Sequence, residues 1–202
     1  MTADPFDGDP ADTREAIMRA TYEALCEHGY AGLTVQRIGD EFPKSKSLLY
    51  HHYDGKDDLL LDLLEYMLDH YRETLPRSDE GTDPETRLHE LIDYVLAADR
   101  DEDRAAFRSA IVELRAQATH DPAYRDHFTE SDRFFQDRIA AVVERGAFRD
   151  VDPEQVAAHL RTTFEGALVR SATADSAAAV EAVREDLHRY VDRALLAEGA
   201  DE

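Results

Sequence analysis

Apolar residues in this chain recur at intervals of three and four rather than two along nearly its whole length, and that spacing commits it to helices. Only 9 Gly and 7 Pro interrupt 202 residues, so the breaks that do occur carry positional meaning. Three breaks share one form. Asp83-Pro84, Asp121-Pro122 and Asp152-Pro153 each place a carboxylate that can cap free amides before a proline suited to the first helical position. The pattern predicts an all-α fold of about nine helices.

Residues 1 to 11, with three Asp, two Pro and one Gly, read as a mobile acidic arm. A first helix then opens at Asp12 or Thr13, carries Ile17, Thr21, Ala24 and Leu25 on one face, and closes at His28-Gly29. Thr34 is placed to cap a short helix whose inward residues are Val35, Ile38 and Phe42, and Pro43 must end it. Ser45 is placed to cap a second short helix from Lys46 to His52, with Leu49 and Tyr53 facing inward. After the Asp54-Gly55 turn a long leucine-rich helix runs from Lys56 to Leu75, where Pro76 stops it. The linker RSDEGT leads into a second helical part with apolar stripes through Leu88, Ile92 and Leu96, through Phe107, Ile111 and Leu114, and through Tyr124, Phe128, Phe135 and Ile139. The segment DRDEDR ends the first of these, and Gly146 ends the third. Two further stripes follow, Val156 to Leu168 and Val180 to Leu195.

Composition narrows the function. No stretch approaches the ~18 to 20 apolar residues of a membrane span, and the start MTADPFDGDPADTR has no basic region before an apolar run, so a cytosolic protein without membrane partners is expected. A single cysteine, Cys26, allows no intrachain disulfide and reads as a packing residue. The net charge is −22, a balance that repels nucleic acid unless the cations are clustered. They are clustered. All three lysines, Lys44, Lys46 and Lys56, fall within thirteen positions, and the two longest acid-free runs, 28 to 39 and 42 to 53, flank Asp40-Glu41. Scarce lysine among abundant carboxylates also points to a halophilic cytosol.

The spared segment has the chemistry of a DNA-reading helix. Such a helix needs small or polar outward residues, an apolar inward face, and cations at its edges. In KSKSLLYHHYDGK, Leu49 and Tyr53 point inward, while Ser45, Lys46, Tyr50, His51, His52 and Lys56 offer donors to phosphate oxygens or base edges.

Here the chain resembles the TetR family of repressors. The resemblance rests on Thr34-Val35 with Ile38, then Ser45-Lys46-Ser47, Leu49-Tyr50, His51-His52-Tyr53 and Lys56 before Leu59-Leu60, and it extends over about residues 13 to 68. It departs from the family at Pro43-Lys44, where a glycine and an apolar residue are usual, and at Leu48, which replaces a small polar residue. Leu48 can meet a thymine methyl or pack on the first helix. The resemblance implies phosphate contacts from Thr34, Ser45, Lys46, Tyr50, His52 and Lys56, and base readout from Gln36, Arg37, Lys44, Leu48 and His51.

DPAYRDHF, ERGAFRDVDPEQVAAHL and FEGAL resemble the C-terminal half of TetR repressors that respond to betaine precursors. The implied layout is a helix-turn-helix domain over 12–55 and an effector-binding and dimerisation domain over 56–202. The implied partners are a palindromic double-stranded DNA operator, a second copy of the chain, and a small-molecule effector whose identity the sequence does not disclose. Candidate effector-lining residues are Met67, Tyr71, Phe107, Ile111, Leu114, Phe128, Phe135 and Phe164, with Arg115 or His127 as polar anchors. Candidate dimer contacts are Phe164, Gly166, Ala167, Leu168, Val183, Leu187, Tyr190 and Val191.

Two other readings compete. An enzyme is disfavoured, since the chain has no Gly-rich phosphate loop, no Gly-x-Ser-x-Gly and no His-Glu-x-x-His, and His89, His120, His127, His159 and His188 are single residues away from ligand spacing. No catalytic set, cofactor or metal is expected. A helical adaptor without DNA binding is the alternative that Pro43-Lys44 keeps open.

Overall fold

The computed structural model describes residues 6, 8–75, 83–96, 102–146, 148, 150–175 and 177–195. Among these, the order is α1 (Thr13–Gly32), α2 (Val35–Glu41), α3 (Lys46–His52), α4 (Lys56–Thr74), α5 (Pro84–Leu96), α6 (Glu102–Gln117), α7 (Pro122–Arg145), α8 (Pro153–Thr173) and α9 (Ala177–Tyr190), followed by a π-helical turn at Val191–Leu195. The all-α reading holds. The linker RSDEGT and the first half of the segment DRDEDR lie outside the described residues.

Local chemistry starts these helices as expected. Asp12 accepts from the Glu15 amide, Asp83 from Thr86, Asp121 from Ala123, and Asp152 from Glu154 and Gln155, so each Asp-Pro pair caps its helix. Such a cap contributes about 1 kcal/mol. Gly29 takes φ 61 and ψ 171, which breaks α1 where a side chain would be strained. The freed amide of Tyr30 donates to Glu113 of α6 at 2.9 Å, so the break is closed by a carboxylate from another helix.

The chain divides into two compact units, residues 1–75 with 101–129, and residues 76–100 with 130–202. In unit 1, α1 packs against α2, α4 and α6. Its core gathers Ile17, Met18, Leu25, Ile38, Leu49, Leu59, Leu60, Leu63, Leu114 and Tyr124. A fully buried leucine of this kind stabilises the fold by about 2 kcal/mol through removal from water. One residue of the presumed arm joins this core. Phe6 is buried, stacked on Tyr66 and tilted against Tyr22, and its carbonyl accepts from Arg19 Nη2 at 2.6 Å. Composition marked the segment as mobile because a single aromatic cannot show from sequence alone which groove will take it.

In unit 2, α5, α8 and α9 pack together around Leu88, Ile92, Ile139, Val143, Leu160, Phe164, Leu187, Val191 and Leu195. Charged networks close its surface. Arg161 donates to Asp132 at 2.7 Å and reaches Glu165 at 3.1 Å, while Arg184 pairs with both Asp93 and Glu181 at 2.5 Å.

Candidate nucleic-acid interface

The reading segment begins with Thr34, whose hydroxyl accepts from the Arg37 amide at 3.2 Å and so caps α2. Ile38 of α2 and Leu49 of α3 are fully buried and lock the two short helices together. Gly39 makes that approach possible, because a β-carbon there would lie 3.0 Å from Cγ of Lys46. The Lys46 stem crosses this gap and its ammonium pairs with Asp40.

The turn between the helices is built without a positive φ. Phe42 is buried with extended backbone (φ −79, ψ 121), Pro43 stops α2, and Lys44 Nζ donates to Thr13 Oγ1 at the start of α1, 2.8 Å away. The departure from the family pattern at Pro43-Lys44 is therefore absorbed by an anchor to α1. Ser45 differs from expectation. Its hydroxyl bonds to that of Ser47 at 2.8 Å and makes no side-chain cap to α3.

Helical geometry sorts the α3 side chains, since successive residues turn by about 100°. With Leu49 buried, Lys46, Ser47, Tyr50, His51 and His52 are all exposed, Tyr50 at 62%. His51 and His52 meet edge to face with ring centroids 5.1 Å apart. Gln36 and Arg37 of α2 are exposed beside them, and the Arg37 guanidinium donates to the Gly32 carbonyl. Two residues of the expected set are partly drawn in. Leu48 is half-buried against the unit 1 core, where the apolar environment outcompetes the surface. Lys56 donates to the Tyr30 carbonyl at 2.9 Å with its ammonium 4.0 Å from the Tyr30 ring centroid, so α1 draws it inward.

Two carboxylates of α4 hold this head. Asp62 accepts from Arg14 of α1 at 2.6 Å and from the Tyr53 hydroxyl at the end of α3. Asp57 accepts both the Tyr30 hydroxyl at 3.1 Å and the Tyr124 hydroxyl of α7 at 3.0 Å. Burial, reinforced by the neighbouring carboxylate, pushes the Tyr53 and Tyr124 phenols well above the ordinary tyrosine value. The sequence reading missed Asp57 and Asp62, because acids in the first turns of a helix look like ordinary dipole partners.

Of the expected effector-lining set, Met67, Tyr71, Phe107, Ile111, Leu114 and Phe128 pack in or against the unit 1 core. The Arg115 guanidinium lies 4.6 Å from the Phe128 ring centroid, and His127 meets the same ring edge on. Phe135 and Phe164 belong to unit 2, where Arg161 lies over the Phe135 ring and Phe164 is core. The expected dimer residues also separate. Phe164, Ala167, Leu187 and Val191 are buried in the core of unit 2 itself, and Val183 and Tyr190 pack partly against it. Gly166 is exposed with open space where a β-carbon would stand, and Leu168 is half-exposed.

Two short helices locked through Leu49 and Ile38, the second presenting donors on its outer face, make a helix-turn-helix reading head. The fold and this face define a DNA-binding protein. The comparisons agree. Residues 17–63 match the bacterial regulatory proteins of the tetR family, and residues 84–196 match the C-terminal domain of BetI-type transcriptional repressors. The chain belongs to the TetR family and is a transcriptional regulator, not an enzyme. It is 32% identical to the regulator HbdR of Aromatoleum, across 93% of this chain and 83% of that one. It is 30% identical to the repressor AcnR of Corynebacterium glutamicum, across 83% and 86%. A crystal structure of a TetR transcription regulator from Haloarcula marismortui superposes with a TM-score of 0.80 at 38% identity, across 93% of this chain and all of that one. Among the described residues, no helix is long and apolar enough to cross a membrane.

Proposed function

We propose that the protein represses transcription by seating α3 in the major groove of a palindromic operator as a homodimer, and that a small molecule releases it. The observation that carries this is the α3 surface, where Lys46, Ser47, Tyr50, His51 and His52 stay exposed around a fully buried Leu49. Thr34, Lys46, Tyr50 and His52 are suited to phosphate, and Gln36, Arg37 and His51 to base edges. Ser45 and Lys44 border the same face, with Leu48 and Lys56 supporting it from the core side. Repression follows the name that the Corynebacterium relative carries.

The effector site is assigned to the α4, α6 and α7 residues Met67, Tyr71, Phe107, Ile111 and Phe128, with Arg115 or His127 as the polar anchor. Tyr124 and Asp57 then link that region to the base of α4 and to Tyr30 in α1. A ligand that displaces the Tyr124 hydroxyl loosens the end of α1 on which the reading head rests. Dimer pairing is assigned to the exposed α8 face at Gly166, with Leu168 and the exposed Val169 beside it.

Mobility shift of the DNA upstream of the protein's own gene tests the whole reading. A retarded complex that Lys46→Ala and Tyr50→Ala weaken is the expected result, and a folded dimer that shifts no such DNA at any salt overturns it. Because the chain carries −22, cations must be taken up between its carboxylates and the phosphates, which opposes the usual counterion release. Affinity should therefore fall little, or rise, between moderate and molar potassium chloride.

A further inference from the structure

α5 carries Glu85 and His89 four residues apart, and α9 with its π-helical turn carries His188 and Asp192 at the same spacing, so each pair lies on one helix face. Unit 2 brings the two pairs together. Single ligand atoms of Glu85, His89 and Asp192 lie within 4.8 Å of one another, and His89 Nε2 is 3.1 Å from Asp192 Oδ1. Behind them the rings of His89 and His188 stack with centroids 4.9 Å apart, and their Nδ1 atoms approach to 2.6 Å. His188 Nε2 in turn lies 2.9 Å from Asp93 Oδ1, the oxygen that also accepts from Arg184.

With both imidazoles neutral, the protons in this chain of contacts leave one nitrogen of His89 open to a metal. Asp93, ion-paired to Arg184, can only accept, so His188 Nε2 bears the hydrogen and donates it. In the neutral His188 the Nδ1 is then a lone pair, and His89 Nδ1 is the N–H that donates to it. His89 Nε2 is left as a lone pair directed at two carboxylates. Three electron-pair donors facing one another in this way can share a cation; in its place, the same contacts are satisfied when His188 carries both protons and His89 Nε2–H donates to Asp192.

We propose that Glu85, His89 and Asp192 bind a divalent first-row transition cation of the zinc class, with His188 and Asp93 holding His89 in the metal-binding tautomer. An imidazole with two carboxylates suits such ions, whereas magnesium and calcium favour all-oxygen shells. Zinc bonds of about 2.0–2.2 Å to nitrogen and oxygen place neighbouring tetrahedral donors roughly 3.4 Å apart. The His89–Asp192 pair, at 3.1 Å, is within a few tenths of an ångström of that separation, and rotation of the Glu85 side chain would have to close the rest. The relay from His89 through His188 to Asp93 is the kind of outer partner that orients metal-bound histidines. Asp192 sits on the π-helical turn, a rare wide turn often found at functional sites. Bound metal joins α5 to α9 and leaves a coordination position open to water or a ligand.

Isothermal titration of the untagged full chain with zinc, in potassium chloride with excess magnesium to occupy the general carboxylate surface, tests it. One ion per chain should bind, cobalt should give the absorption of a low-coordinate nitrogen and oxygen site, and the melting temperature should rise with metal. His89→Gln and Asp192→Asn should each weaken binding roughly 100-fold and His188→Gln about tenfold, while His120→Gln in the exposed turn after α6 changes nothing. Binding that magnesium abolishes, or that His89→Gln leaves intact, overturns the proposal. If His89→Gln does not fold, Glu85→Gln decides by the same titration, with unchanged affinity overturning the site.

Discussion

The reading segment of unit 1 and the α5, α8 and α9 surface of unit 2 come from one acidic composition, yet they place their cations differently. In unit 2, Arg161 and Arg184 are each closed between two carboxylates. In the reading segment, Lys44 meets a hydroxyl and Lys46 meets one exposed carboxylate. An ammonium has three donors, so a single neutral or exposed partner leaves it able to hold phosphate. The contrast shows that a net charge of −22 does not describe the interface. Local pairing does.

The largest expected effect tests whether the two cores serve different ends. Leu49→Ala and Leu160→Ala each empty a fully buried site and should cost about 2–5 kcal/mol in denaturant unfolding. Only Leu49→Ala should also remove DNA binding from the molecules that remain folded, because α3 has seven residues and no other fully buried anchor. An equal loss with Leu160→Ala would erase the distinction between the units.

Next in size is the surface contrast. Lys46→Ala or Tyr50→Ala should weaken operator binding by about tenfold, near 1.4 kcal/mol, with an unchanged melting temperature. Arg184→Ala should leave operator binding where it was, since its partners are all within unit 2. A smaller change is expected at the hub. Tyr124→Phe removes one of the two hydroxyls on Asp57 and should destabilise unit 1 by about 1 kcal/mol in chemical denaturation.

The finest test is pH. Burial and nearby Asp57 or Asp62 raise the Tyr30, Tyr53 and Tyr124 phenols in unit 1. A raised folded value means stability that is complete below the ordinary tyrosine value of about 10 and is lost as pH climbs through the higher one. Partial burial pushes the Asp93 carboxyl up, but hydrogen bonds from His188 and Arg184 outweigh it and hold the group below the usual carboxylate range. Its contribution is present above about pH 4 and disappears as pH falls through the lowered value. Hydrogen exchange should therefore show unit 1 loosening first in alkali and the α5 and α9 helices of unit 2 loosening first in acid. Asp93→Asn should flatten the acid edge alone.

Helix starts were legible wherever a single residue acts on its own next turn. Thr34 reaches Arg37 and Asp152 reaches Gln155 across three positions, which any sequence reader can count. The exposed donors of α3 were legible for the same reason, because one buried leucine orients a seven-residue helix. Lys56 was not, since its partner is the Tyr30 carbonyl of another helix. His89 and His188 read as isolated residues because 99 positions separate them. The detectable signal was a histidine and a carboxylate four apart, occurring twice on helices whose pairing was unknown.

By itself, the amino-acid order determined that the chain is helical, where most helices begin, and which short stretch escaped the acids. Those properties depend on backbone hydrogen bonds and caps that act within one turn. Folding in three dimensions decided that Phe164, Ala167, Leu187 and Val191 face their own core, that Asp57 and Asp62 of α4 support the reading head, and that Glu85, His89 and Asp192 converge. An apolar or charged stripe specifies that a face needs a partner, but the partner is chosen by packing between residues far apart in the chain.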